Sequence, residues 1–252
     1  MKTVVVWGPS ASGKTAWLAQ ISLRALAVDT PWKVFITDET HGVIQREEER
    51  IEKGNVFPHA TQDVGGTLDT FSYKFKHRDT GAEFAVNAID RPGIMYEQLP
   101  QEVRDKLCDA DAMILMIDHG RNMYDSEVRK TLRQVHLDRK LGTNPDPRPV
   151  AVCLSKADEL IGDGLDYQRA IETPEAFVRP RLDDELLAWI DQHYSCCTFL
   201  PISSVGLRLS YGRIKRSVFL DEHFNLRVSR EGLPINLLAP FVWVFSQLER
   251  RE

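Results

Sequence analysis

Gly8-Pro9-Ser10-Ala11-Ser12-Gly13-Lys14-Thr15 follows the β-branched run Thr3-Val4-Val5-Val6-Trp7 and precedes Trp17, Leu18, Ile21, Ala25 and Leu26, apolar positions at helical spacing. The octapeptide fits G-x-x-x-x-G-K-[ST] between a strand and a helix, the context in which that pattern has a mechanism. Its glycines let the chain bend so that successive N–H groups, those of Ser10, Ala11, Ser12 and Gly13, face phosphate oxygens. The start of the helix adds its positive dipole end. Lys14 then reaches the β- and γ-phosphates, and the Thr15 hydroxyl is placed to ligate Mg²⁺. A nucleoside triphosphate is the expected ligand.

Outward from this loop, strands and helices alternate. Lys33 to Thr37 reads as a strand, and the charged stretch His41 to Lys53 as a surface helix, part of a helical insertion near 38–56. Leu68 to His77 and Glu83 to Asp90 alternate well and meet at Asp79-Thr80-Gly81, a hairpin signal. Ala112 to Asp118 and Val150 to Leu154 are apolar throughout, as central strands covered on both faces require. Ser126 to Leu141 reads as a helix, and Asn144 to Pro149 as a rigid loop. Pro174 to His193 reads as a helix that Pro180 breaks or kinks. A strand at Thr198 to Ile202, a hairpin insertion near 207–230 and a helix at Ile235 to Leu248 complete the chain. The fold class expected is α/β, a P-loop NTPase with a mostly parallel central sheet and helices on both faces. Residues 1–252 are read as one domain.

Composition narrows the class. The 252 residues are 42% hydrophobic, enough for an ordinary globular core, and carry a formal net charge of -5. A mildly acidic chain has no global electrostatic reason to coat nucleic acid or an anionic membrane, and neither is expected as a partner. No apolar run approaches the ~18 residues of a spanning helix. Cys108, Cys153, Cys196 and Cys197 form neither a disulfide framework nor a metal knuckle, and Cys196-Cys197 reads as packing. A cytoplasmic protein is expected. Arg208, Arg213, Lys215, Arg216, Arg227 and Arg230 read as a solvated hairpin face.

Three further segments carry chemistry. Asp90-Arg91-Pro92-Gly93 ends a strand. There Asp90 can hold Mg²⁺ directly or through water, and Gly93 can offer its N–H to the γ-phosphate. Ser155-Lys156-Ala157-Asp158 follows an apolar strand. The Asp158 carboxylate suits the N1–H and N2–H₂ donors of guanine, which adenine lacks in that arrangement, while the Lys156 stem can pack along the base. Ser203, Ser204 and Val205 follow the next strand, in a loop whose N–H groups could meet guanine O6.

In order and context these motifs resemble the Ras-like, translation-factor-related P-loop GTPases over about residues 1–205. Pro58-His59-Ala60-Thr61 and Pro234-Ile235-Asn236-Leu237 look more like bacterial double-GTPase proteins. The resemblance implies that Gly8 to Thr15 is the phosphate loop and that Asp90 to Gly93 opens switch II. It matches Ser155 to Asp158 to the family's [NT]KxD element and Ser203 to Val205 to its SAK element. It requires a switch I threonine for Mg²⁺ and the γ-phosphate; Thr61 is preferred, with Thr67 as the alternative. GTP and GDP as ligands, Mg²⁺ as cofactor, Lys14, Thr61 and Gly93 as catalytic groups, and a nucleotide-dependent switch acting on an effector or activator protein (a second GTPase domain among the candidates) are implied in the same way.

Three departures matter. Ser155 replaces the family's Asn, Val205 replaces its SAK lysine, and Ile94 stands where a water-orienting Gln is usual. An aliphatic side chain cannot hydrogen-bond an attacking water, so slow intrinsic hydrolysis is expected. Two other readings stay open: a module that holds nucleotide without turnover, which Ile94 favours, and a P-loop ATPase or kinase, which Lys156-Ala157-Asp158 argues against.

Overall fold

The structure, a computed structural model, describes residues 1–9, 11–25, 30–36, 69–90, 100–120, 125–229 and 231–251. At its centre β1 (Lys2–Trp7) pairs in parallel with β4 (Glu83–Asp90) on one side and β5 (Ala112–Asp118) on the other. With β2 (Trp32–Ile36), β3 (Asp69–His77), β6 (Val150–Ser155) and β7 (Cys197–Pro201), the seven strands run in the order β2-β3-β4-β1-β5-β6-β7. Only β3 runs against the rest, through its antiparallel pairings with β2 and β4. The α/β class with a mostly parallel sheet is therefore the observed one.

Strand alternation divides the core between the two faces. Val5, Trp7, Met113, Leu115, Val152 and Leu154 pack on one side; Val4, Val6, Ile114, Met116, Ala151 and Cys153 pack on the other. The first face is covered by α2 (Gln101–Asp109), α3 (Asp125–Asp138), α4 (Gly164–Glu172), α5 (Pro174–Val178) and α6 (Asp184–His193). The second is covered by α1 (Lys14–Ala25) and α7 (Ala239–Glu249). Trp17 of α1 stacks on Phe241 of α7 at 4.9 Å between centroids, and Phe75 and Phe84 of the sheet stack on Phe241 and Phe245. No helix among the described residues is long and apolar enough to cross a membrane.

The hairpin expected around Asp79-Thr80-Gly81 is present. Gly81 takes the left-handed torsion the turn needs (φ +72°), and Lys74 and Lys76 meet Glu83 at 2.7 and 3.1 Å. Pro180 does interrupt the helix expected over 174–193: α5 gives way to a 3₁₀ turn at Arg179–Arg181 before α6 begins, capped by Asp183 onto the Leu186 N–H.

Elsewhere the elements differ from expectation. The last helix begins at Ala239 rather than Ile235, because Leu233–Ile235 is a strand, β12, paired with β8 (Ser203–Ser210). The single hairpin expected near 207–230 is instead two small sheets over 203–235. β8 lies between β12 and β9 (Arg213–Arg216), and β10 (Val218–Leu220) pairs with β11 (Leu226–Val228). The basic residues read as a solvated face are partly engaged: Arg227 meets Asp221 at 2.8 Å and Arg208 lies over the Phe219 ring. The helical insertion near 38–56 falls outside the described residues. The four cysteines are free, and burial pushes the Cys197 thiol up to about 12.

A buried ion pair locks the approach to β6. Arg148 binds the Asp146 carboxylate through Nε and Nη2 (3.0 and 2.8 Å), while its Nη1 donates to the carbonyls of Leu107 and Ala110 at 2.6 and 2.9 Å. The guanidinium thereby satisfies carbonyls at the C-terminus of α2 that have no helical partner. Removing it would leave Asp146, 1% exposed, with only the Arg139 Nε at 3.4 Å as a charged partner, and would strip the α2 carbonyls of their donor. Arg148→Ala is expected to lower unfolding stability by about 3–5 kcal/mol, read from urea denaturation.

Candidate functional site

Because β1, β5, β6 and β7 run parallel, their C-terminal ends share one edge of the sheet. The chain leaves β1 towards one side of the sheet and crosses from β4 to β5 on the other. Ligand crevices of open α/β sheets form at such a reversal. This edge carries Gly8, Pro9, Ala11 to Thr15, Asp118, Ser155 to Asp158 and Ser203.

The loop turns within its own hydrogen bonds. Ser12 N–H donates to the Pro9 carbonyl (3.3 Å) and Trp17 N–H to the Gly13 carbonyl (2.9 Å), with Ala11 and Gly13 at φ +57° and +82°. Gly8 is needed for a different reason. A Cβ there would lie 2.3 Å from the Met116 carbonyl oxygen, so the loop can leave β1 against the backbone of β5 only through a glycine. The Lys14 ammonium, 3% exposed, donates to the carbonyls of Gly8 and Pro9 (both 2.9 Å) and to Ser12 Oγ (3.3 Å). A compact cation is thus held inside the turn by oxygens of the loop itself, at the N-terminus of α1, a position suited to phosphate. Thr15 opens the first turn of α1 and is half-buried.

Two strands away, Ser155 Oγ donates to the Ile117 carbonyl at 3.0 Å, so the end of β6 is braced on β5. Lys156 takes a left-handed conformation (φ +55°) that turns the chain into a 3₁₀ turn, Ala157–Glu159, fixed by the Ala157 N–H to the Ile202 carbonyl. Its ammonium meets Asp118 Oδ2 at 2.5 Å, so the side chain reaches back from the end of β6 to the end of β5. Asp158 is 2% exposed: Ser203 Oγ donates to its Oδ1 at 2.5 Å and Arg216 Nε to its Oδ2 at 3.3 Å. The segment Ser203-Ser204-Val205, expected in a loop, instead opens β8. There Ser203 also accepts from the Gly206 N–H, Ser204 is half-buried and Val205 is buried.

The structure therefore brings Ala11, Ser12, Gly13, Lys14, Thr15, Ser155, Lys156, Asp158 and Ser203 to one edge. Asp90 ends β4, the strand beside β1. Ser10, Thr61, Thr67, Gly93 and Ile94 lie outside the described residues. Asp118 and Arg216 were not singled out as site residues. An acid closing an all-apolar strand was the available signal for Asp118, whereas Arg216 is one of several bases in a polar stretch. Among the described residues no group of three or more His, Cys, Asp or Glu is arranged to hold a metal.

No protein-family model and no curated protein matches the chain. Solved structures with a similar fold include the Arl6 BBS3 small GTPase from Trypanosoma brucei with bound nucleotide analogue GppNp, 13% identical, with TM-score 0.44 and coverage of 100% of this chain and 99% of that one. Another is the bacterial selenocysteine-specific elongation factor EF-Sec, 16% identical, with TM-score 0.43 and coverage of 81% of this chain. The match spans 26% of the elongation factor. Likenesses at this distance carry no assignment of activity.

The two loop glycines should respond differently. Gly8→Ala forces β1 and β5 apart and is expected to cost about 1–3 kcal/mol. Gly13→Ala meets nothing within 4 Å and faces only its torsion, a cost of about 1–2 kcal/mol. Urea denaturation of both variants measures the contrast.

Proposed function

We propose that this chain is a single-domain guanine-nucleotide-binding protein that hydrolyses GTP slowly and acts as a nucleotide-dependent switch. The observation that carries the reading is the placement of two chemically unlike groups on one sheet edge. The Lys14 loop is built for phosphates, and two strands away the Asp158 carboxylate can accept paired N–H donors. A nucleoside joins a base to phosphates across such a span. Adenine offers Asp158 no N1–H and N2–H₂ pair, so a paired acceptor buried at this point favours guanine.

The remaining roles follow from chemistry and position. Lys14 and the loop N–H groups stabilise charge spreading over the γ-phosphate as water attacks in line and GDP leaves. Thr15 and Asp90 supply the hard oxygen ligands that suit Mg²⁺, Asp90 directly or through water, with Thr61 (alternatively Thr67) from switch I. Bound there, Mg²⁺ neutralises phosphate charge. Gly93 donates its N–H to the γ-phosphate and, with the switch I threonine, reports its presence to an effector or activator protein, a second GTPase domain being one candidate. Ile94 supports a second reading, a module that binds GTP without turnover.

Wild type should prefer GDP to ADP by orders of magnitude, and Lys14→Ala should abolish tight binding of either, by isothermal titration. Asp158→Asn replaces one acceptor with a donor and should move preference from guanine to xanthine nucleotides, whose C2 carbonyl accepts it. Equal affinity of wild type for ADP and GDP refutes the guanine reading.

Single-turnover hydrolysis by the isolated protein is expected on the order of 10⁻³ s⁻¹ or less. Fast turnover independent of protein concentration would show that this chain already supplies the water-orienting group that Ile94 lacks. No turnover at all would favour the binding module.

A further inference from the structure

The acceptor assigned to guanine is already engaged on both oxygens. Ser203, 1% exposed, donates to Asp158 Oδ1 from the start of β8 and is itself fixed by the Gly206 N–H. Arg216 reaches Oδ2 from the end of β9, and its Nη2 holds Glu159 Oε1 at 2.7 Å. The two covering groups differ in mobility. Ser203 is buried and short, whereas the Arg216 side chain is long and 43% exposed. The Asp158 side chain is only 3% exposed, and of its two partners Arg216 is the one that reaches solvent. Among the described basic residues of the 203–235 sheets, Arg216 is paired to Asp158 and Glu159, whereas Arg227 is turned to Asp221 and Arg208 to Phe219.

We propose that Arg216 is a positioning residue of the base site, exchanged for guanine at Asp158. On this assignment, which rests on the guanine reading, Ser203 stays on Oδ1 and keeps the carboxylate aimed. Arg216 withdraws from Oδ2, and the guanine N1–H and N2–H₂ donors take the released acceptor sites. A carboxylate has about four lone-pair sites, so Ser203 and two base donors are accommodated together. The paired Asp158 never becomes a bare buried charge, because one donor replaces another. The same exchange couples the small sheets to the nucleotide: bound guanine releases the Arg216 side chain from Asp158, and a partner that holds Arg216 on Asp158 opposes guanine binding. Xanthine and adenine lack the paired donors, so they gain nothing from the release.

Arg216→Ala tests the exchange. Fluorescent mant-GDP and mant-ADP are titrated against wild type, Arg216→Ala and Glu159→Ala, with circular dichroism melting as the check on folding. Arg216→Ala should tighten mant-GDP roughly three- to tenfold and quicken its association, while mant-ADP stays unchanged. Glu159→Ala removes only the outer anchor of Arg216 and should tighten mant-GDP by less. A purely structural role would shift both nucleotides alike and would overturn the assignment. Weaker mant-GDP binding by Arg216→Ala would also overturn it, by making Arg216 a contact of the bound base. If Arg216→Ala fails to fold, Glu159→Ala decides alone: selective tightening of mant-GDP supports the exchange, and no change overturns it. Loss of the GDP preference in wild type itself would be a failure of the guanine reading, and that arm is measured independently.

Discussion

Everything at the functional edge depends on β1 being paired on both sides and buried on both faces. Val4, Val5 and Val6 are at most 1% exposed, so the strand has no freedom to shift, and the loop that leaves it starts from a fixed point. The Gly8 backbone then passes against the Met116 carbonyl, close enough to exclude any side chain. A ring of N–H groups is useful to a phosphate only when its geometry exists beforehand, since reorganising it would consume the binding energy. Rigidity below the loop and conformational freedom within it are supplied by neighbouring residues of opposite character: valines, then a glycine.

The β6 side of the edge is organised differently. Its polar groups sit beside strands that are fully buried, and each finds a partner from another strand or sheet: Ser155 with Ile117, Lys156 with Asp118, Asp158 with Ser203. The left-handed Lys156 is the bend that makes this possible, directing its ammonium to β5 while the next residues turn towards β8. Strain of this kind in a long, flexible residue is held by the partners around it.

What the sequence made legible follows the strength of each local signal. Strands buried on both faces, such as Ala112–Asp118, have no other plausible fate, and Pro180 ends a helix wherever it falls. α2 and α4 escaped notice because they bury little, Val103 and Leu107 in one and Ala170 in the other, so their apolar periodicity is faint. Ser203-Ser204-Val205 suits a loop or a strand equally, and pairing with Leu233–Ile235, set by the rest of the fold, decided for the strand. Asp158 and Ser203, which the structure brings to 2.5 Å of each other, were legible in the sequence as residue types. The approach of Arg216 to Asp158 was not, since nothing local records a contact spanning 58 residues.

The central place of β1 also sets the order in which the molecule can be made. Val4 pairs with Val86 and with Ala112, so the first strand waits for distant partners, with β2, β3 and the first helices already synthesised around it. Closing loops of that length costs entropy before any contact returns it, and parallel pairing reached through crossovers forms slowly. During that interval a run of valines followed by a glycine-rich turn is exposed, the kind of segment that associates with other chains or with a chaperone. The strand that makes the finished site rigid is thus the one that leaves the growing chain vulnerable for longest.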